Sequence, residues 1–192
     1  HITLPLASLR FDGPRFDGHA LDVDCVGELL AYKKLVLECA KELWYRKHPG
    51  RERLPRGFEE RLTLEFSEIR EGSVVVPLRR IVVGEQTPLD FGDEFDEAAE
   101  LIDAAISAAS QGQLLPAEFP RNAIPLFRDF GKSLKESETL FVQARNRESA
   151  APYTAKAREC LAEWMEATFE DLADVIGEVS MANVRGGAFE LA

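Results

Sequence analysis

The chain has 192 residues, 45% of them apolar, enough for one domain with a sizeable core and part of a second. Its net charge is −11 and its isoelectric point is about 4.8, which disfavours wholesale binding to nucleic acid or anionic lipid because the surface repels polyanions. Three cysteines, Cys25, Cys39 and Cys160, are odd in number and form no Cys-x-x-Cys pair, which opposes a disulfide framework or a zinc ribbon and points to a reducing, cytoplasmic compartment.

The charge is uneven. Residues 1–92 carry 14 Lys/Arg against 15 Asp/Glu, whereas residues 93–192 carry 9 against 19. A charged partner of the second half is therefore expected to be basic. No apolar run approaches the roughly 18–20 residues of a membrane span. The N-terminus has no basic stretch followed by an apolar one, so no secretory leader is expected.

Ile2–Phe11 alternates as a strand, and Pro5 is expected to push it to a sheet edge. Asp12-Gly13-Pro14 and Asp17-Gly18 are turn signals. From about Asp24 to Lys47 the residues Val26, Leu29, Tyr32, Val36, Cys39 and Leu43 recur at three- and four-residue steps, which predicts an amphipathic helix stopped by Pro49-Gly50. Arg61–Ile69 alternates again, with Leu62, Leu64 and Phe66 on one face. Arg70-Glu71-Gly72 reads as a turn, and Ser73–Val83 as the returning strand of a hairpin. Pro77 cannot donate to a ladder, so this strand is expected at an edge or bulged there.

Thr87–Asp93 reads as loop. Glu94–Ser110 reads as a second helix, with Phe95, Ala98, Ile102, Ala105 and Ala109 as its stripe. Asn122 is placed to cap a short helix through Phe130, with Gly131 after it. A strand is expected at Glu138–Gln143, an exposed polar stretch at Ala144–Ala151, a third helix at Tyr153–Phe169 and a strand at Val175–Val184. The fold class is α+β: an antiparallel sheet built round the hairpin and covered by amphipathic helices. One domain is expected over residues 1–173. Residues 174–192 read as the start of a C-terminal hairpin, turning at Asn183–Gly187. The opening His1 and the short last strand suggest a fragment whose parent continues past Ala192.

Chemistry-bearing residues are sparse. His19, with Asp17, Asp22 and Asp24 near it in sequence, has the donor types of a metal or acid–base site, and a metal-dependent enzyme there is one alternative. No second histidine follows at ligand spacing, so no metal and no cofactor is expected. His48 closes the first helix, where a cation suits the dipole. The acidic run Asp90, Asp93, Glu94, Asp96, Glu97 and Glu100 lies at a helix start, where negative charge is stabilising, and lacks calcium-loop spacing. No nucleophile elbow, phosphate loop or dinucleotide fingerprint is present. One basic segment stands out: Arg46, Lys47, Arg51, Arg53 and Arg56, opposed only by Glu52, for a local charge of +4. Arginine forks suit phosphate and carboxylate, so a nucleic-acid or phosphate ligand is a second alternative.

Ile69-Arg70-Glu71-Gly72-Ser73, running into Val74–Leu78, resembles an I-x-x-G-S pattern of small bacterial domains of unassigned function, some attached to effectors in prokaryotic conflict systems. The resemblance spans about residues 19–110. It includes ELLAYKKLVLECAKELW and Gly57-Phe58, and it implies a non-catalytic sensing or docking module of a larger protein, with no site residues to carry over. The leading expectation is thus a cytoplasmic bacterial interaction or regulatory module. A protein partner or a second copy would add to the unpaired edge at Ser73, Val75 and Pro77, with no membrane partner.

Overall fold

The computed structural model describes residues 2–18, 20–66, 74–82, 92–177, 179–183 and 188–191, with side chains as far as residue 167. The strands are β1 (Ile2–Asp12), β2 (Thr63–Glu65), β3 (Val74–Val82), β4 (Thr139–Ala144), β5 (Ala151–Tyr153), β6 (Val179–Asn183) and β7 (Ala188–Leu191). The α-helices are α1 (Val26–Lys47), α2 (Glu94–Ser110) and α3 (Ala155–Gly177). The first five strands form one antiparallel sheet in the order β2-β3-β1-β4-β5, so the fold is α+β. None of the described helices is long and apolar enough to cross a membrane.

The hairpin forms: Leu64 lies opposite Arg80 and Glu65 opposite Arg79. Its turn, together with Ser73, lies outside the described residues. Among the described residues both prolines lie where their strand is paired on one side only. β1 is the central strand, between β3 and β4. Pro5 is tolerated there because β4 pairs with β1 only from Ala7 onward, and the β3 register shifts between Pro5 and Ala7. That bulge absorbs the extra residue and frees Pro5 from a two-sided ladder. β3 is second in the sheet order. It pairs with β1 along its length and with β2 over Arg79–Ile81 only, so among the described residues Val74–Leu78 is paired on one side, and the expected open edge at Val75 and Pro77 stays. The outermost strands are the three-residue β2 and β5, so β2 covers only part of β3 among the described residues.

Period-two patterning then sorts the sheet. Leu9 and Phe11 on β1, Val74, Val76 and Leu78 on β3, and Leu140 and Val142 on β4 are buried on one face. Helix α2 packs against β1, β4 and β5, while α1 and α3 pack on α2. Each fully buried Leu or Phe adds about 1.5–3 kcal/mol. The α2 stripe read from the sequence is entirely buried, and its cap is complete. The Asp93 carboxylate accepts from the N–H groups of Phe95 and Asp96, and the Asp96 carboxylate accepts from that of Asp93.

Four boundaries differ from expectation. Residues 121–128 form a 3₁₀ helix preceded by Pro120, with no side-chain cap from Asn122, because Pro125 inside it cannot continue an α-ladder. Of the stretch 144–151 expected to be exposed, Ala144 and Ala151 are buried, and β5 pairs with β4, so α3 starts at Ala155 and not at Tyr153. Helix α3 extends to Gly177, so the expected break at 173/174 falls in its last turn, and β6 starts at Val179. Strands β6 and β7 pair antiparallel as a separate two-stranded sheet.

Candidate interaction surface

The first turn of α1 is anchored by buried polar groups. Asp22 caps the preceding 3₁₀ turn by accepting from the N–H of Asp24 at 3.0 Å. Arg15 donates to Glu138 at 3.1 and 2.8 Å, to Asp22 at 3.4 Å and to the Ser133 carbonyl at 3.0 Å. Glu28 is only 1% exposed, and its carboxylate accepts from the Ser133 N–H at 2.8 Å, from the Ser133 hydroxyl at 2.7 Å and from the Gly131 N–H. A buried carboxylate requires such donors, so this is a clamp joining α1 to the 131–133 loop. Burial pushes the Cys25 thiol up, against the opposing pull of Ser133 and Arg15, so it is not an activated nucleophile.

The other side of the same helical turns faces solvent. Val23 is 83% exposed, Val26 40% and Leu30 66%, three apolar residues at steps of three and four along one face. Val26, expected on the buried stripe, belongs to this second row. The core stripe passes instead through Cys25, Leu29, Tyr32, Val36, Cys39 and Leu43. A Cβ added at Gly27 would meet nothing within 4 Å, so the backbone is bare between Val26 and Leu30. Gly27, Leu30 and Ala31 line a groove of about 400 Å³, with Asp24 of the preceding 3₁₀ turn and Lys34 of α1 at its rim, and Asp129 and Lys132 on the facing side. The signal was legible: Val23, Val26 and Leu30 recur at three- and four-residue steps off the buried stripe.

The residues singled out from the sequence disperse. Arg46 donates to the Glu118 carbonyl at 2.6 Å and lies 3.7 Å from Glu42, and Lys47 pairs with Glu97 at 2.5 Å. Two of the five cations thus serve the protein's own carbonyls and carboxylates. Arg51, Arg53 and Arg56 are exposed on the loop after α1. His48 stacks on Trp44 with ring centroids 4.3 Å apart, and its Nδ1 lies 2.8 Å from the Trp44 carbonyl oxygen, so it ends the helix. His1, His19 and Asp90 lie outside the described residues, and Asp22 is engaged by Arg15. Among the described residues no group of three or more His, Cys, Asp and Glu could hold a metal ion.

Val75 and Pro77 lie half-buried on the sheet face opposite the core, beside Ser8, Arg10 and Phe141. The Arg10 guanidinium covers the Phe141 ring at 3.8 Å from its centroid, a stacked pair that shields the face. A concavity of about 520 Å³ opens at the β1 bulge, lined by Pro5, Ser8, Pro77, Arg79 and Arg145 among others. Arg145 is turned to Asp96 at 3.5 Å, and Glu65 lies opposite Arg79 in register, so its guanidiniums have acidic neighbours of their own.

No family model, no curated protein and no solved structure matches this chain.

Proposed function

We propose that this chain is a non-catalytic interaction or regulatory module of the bacterial cytoplasm, and that it docks protein through the exposed face of α1. The observation that carries the reading is the solvent-facing row Val23, Val26 and Leu30 beside an open groove. A clustered apolar row on an otherwise charged helix costs solubility unless something covers it. It is preferred to the β3 edge as the docking element because Val75 and Pro77 are half-buried whereas Leu30 is 66% exposed.

Two further observations support the reading. The buried ionisable groups act as ties: Glu28 on the 131–133 loop, Glu138 on Arg15, and Asp103 on the Ala144 N–H at 3.1 Å and on Arg147 at 3.3 Å. All three cysteines are free, two of them buried, which suits a reducing compartment. The bacterial assignment rests on the resemblance of the Ile69–Leu78 string.

A photo-reactive amino acid placed at Leu30 in producing cells tests the reading. Discrete protein adducts are expected at this position and not at the exposed loop residue Glu148. Identical adduct patterns at the two positions, or none at Leu30, would rule the surface out.

A further inference from the structure

The α1 face carries a charge pattern that identifies its occupant. Asp24 lies toward the start of the exposed row and Lys34 toward its end, both exposed and both on the rim of the groove. Gly27 and Ala31, the small residues, lie between them at a spacing of one helical turn. In an antiparallel pairing of two copies of this helix, residues whose numbers sum to about 58 face each other. That one register sets Gly27 against Ala31 of the second copy. It also sets Asp24 against Lys34 of the second copy, twice over by symmetry. Small residues permit helix axes to approach to about 8 Å, and the rim charges then meet their opposites.

Taking up the reading of α1 as a docking face, we propose that the protein it docks is a second copy of this chain, packed antiparallel about a two-fold axis near residue 29. Leu30, 66% exposed, is then the central contact. Each Leu30 enters the other copy's groove, over the bare backbone of Gly27 and beside Ala31. The groove of about 400 Å³ has room for one such side chain. The exposed row from Val23 to Leu30 is about 10 Å long, so the patch is smaller than a standard interface, and the dimer is expected to be reversible in the micromolar range. Asp129 and Lys132, an exposed pair 3.7 Å apart, line the far side of the groove.

Sedimentation velocity of the purified chain over about 1–200 μM tests this, a range that spans micromolar dissociation constants. A concentration-dependent monomer–dimer shift is expected. Leu30→Glu, a change at an exposed position, should weaken association at least tenfold with an unchanged circular dichroism spectrum. Asp24→Lys and Lys34→Asp should each weaken it about threefold, as rim charge pairs do, and the double variant should recover it, because both pairs are restored with reversed sign. Monomer throughout the range overturns the proposal, as does a dimer indifferent to Leu30→Glu or a double variant no better than the singles. A monomer whose Leu30 still cross-links a different protein in cells overturns the second copy alone. A monomer with no Leu30 adduct removes the docking face as well.

Discussion

Gly131 holds a φ of +81°, a conformation that glycine adopts without penalty. A Cβ there would run into Cε1 of Tyr153, whose ring lies tilted against Phe130 with centroids 4.9 Å apart and whose hydroxyl donates to the Phe130 carbonyl at 2.9 Å. The N–H of the same glycine donates to Glu28. One residue thus serves a turn, an aromatic contact and the carboxylate clamp that fixes the start of α1. Gly131→Ala is expected to cost about 3 kcal/mol or more, combining the left-handed backbone penalty with displacement of a packed ring. Gly27→Ala should act in the opposite sense, by roughly 0.5 kcal/mol, because that site is helical and open. Urea midpoints of the two variants, compared with the parent, check both the size and the difference in sign.

At the scale of elements, the start of α2 shows how one side chain joins a helix to a strand. Arg80 continues the buried face of β3 after Val74, Val76 and Leu78 and is 3% exposed. Its Nη1 reaches both oxygens of Asp93 at 2.8 and 2.7 Å, and its guanidinium lies 5.2 Å from the Phe95 ring centroid. Burial alone would push the Asp93 carboxyl up. The hydrogen bonds and charge of Arg80, with the N–H groups of Phe95 and Asp96, outweigh it and hold the carboxyl below its usual range. With a folded-state pKa below the unfolded value of about 3.9, the stability this group adds is fully present above that value and is lost as the pH falls through the folded one. Asp93→Asn takes from Arg80 the counter-charge it has among the described residues, so a loss of about 3 kcal/mol is expected at pH 7. The gap between parent and variant should close as the pH falls from about 4. Denaturation curves at pH 7 and pH 3 give the comparison, and an unchanged gap would show that charge is not the cause. The α2 range and its whole buried stripe were legible because apolar periodicity and an acidic cap agree there. The Asp93–Arg80 tie was not, because local pattern carries no information on which strand a cap faces. Pro5 and Pro77 each lie where, among the described residues, the ladder is bonded on one side only, so the missing N–H was a sound local signal that did not give the strand's place in the sheet order. On α1, periodicity gave the buried stripe correctly except at Val26, which starts the second, exposed row.

For the whole molecule, the three thiols report how the parts hold together. Cys39 lies in the middle of α1 with no exposed surface, and burial pushes its thiol up to about 12. Cys25 lies at the start of the same helix, also without exposed surface, packed against Ser133 with the thiol sulfur 3.6 Å from the hydroxyl oxygen. Cys160 is half-buried on α3. Thiolate, not thiol, is the reactive species, so both burial and a raised pKa protect the first two. Were the first turn of α1 held only by its own hydrogen bonds, it would fray at little cost and Cys25 would react almost as fast as an exposed thiol. The Arg15–Glu138 pair and the Glu28 clamp instead tie that turn to β1, the 131–133 loop and β4. Cys25 and Cys39 should therefore open together, in the transition that unfolds the domain. With a disulfide-forming thiol reagent at pH 8, one thiol per chain is expected to react promptly in the native protein and all three in urea. Cys160→Ser should remove the prompt phase. The slow phase should give one opening free energy for Cys25 and Cys39 alike, equal to that from urea unfolding. Prompt labelling of Cys25 alongside Cys160 would mean that the clamp does not lock α1, and that the surface built on its first turns is not a fixed one.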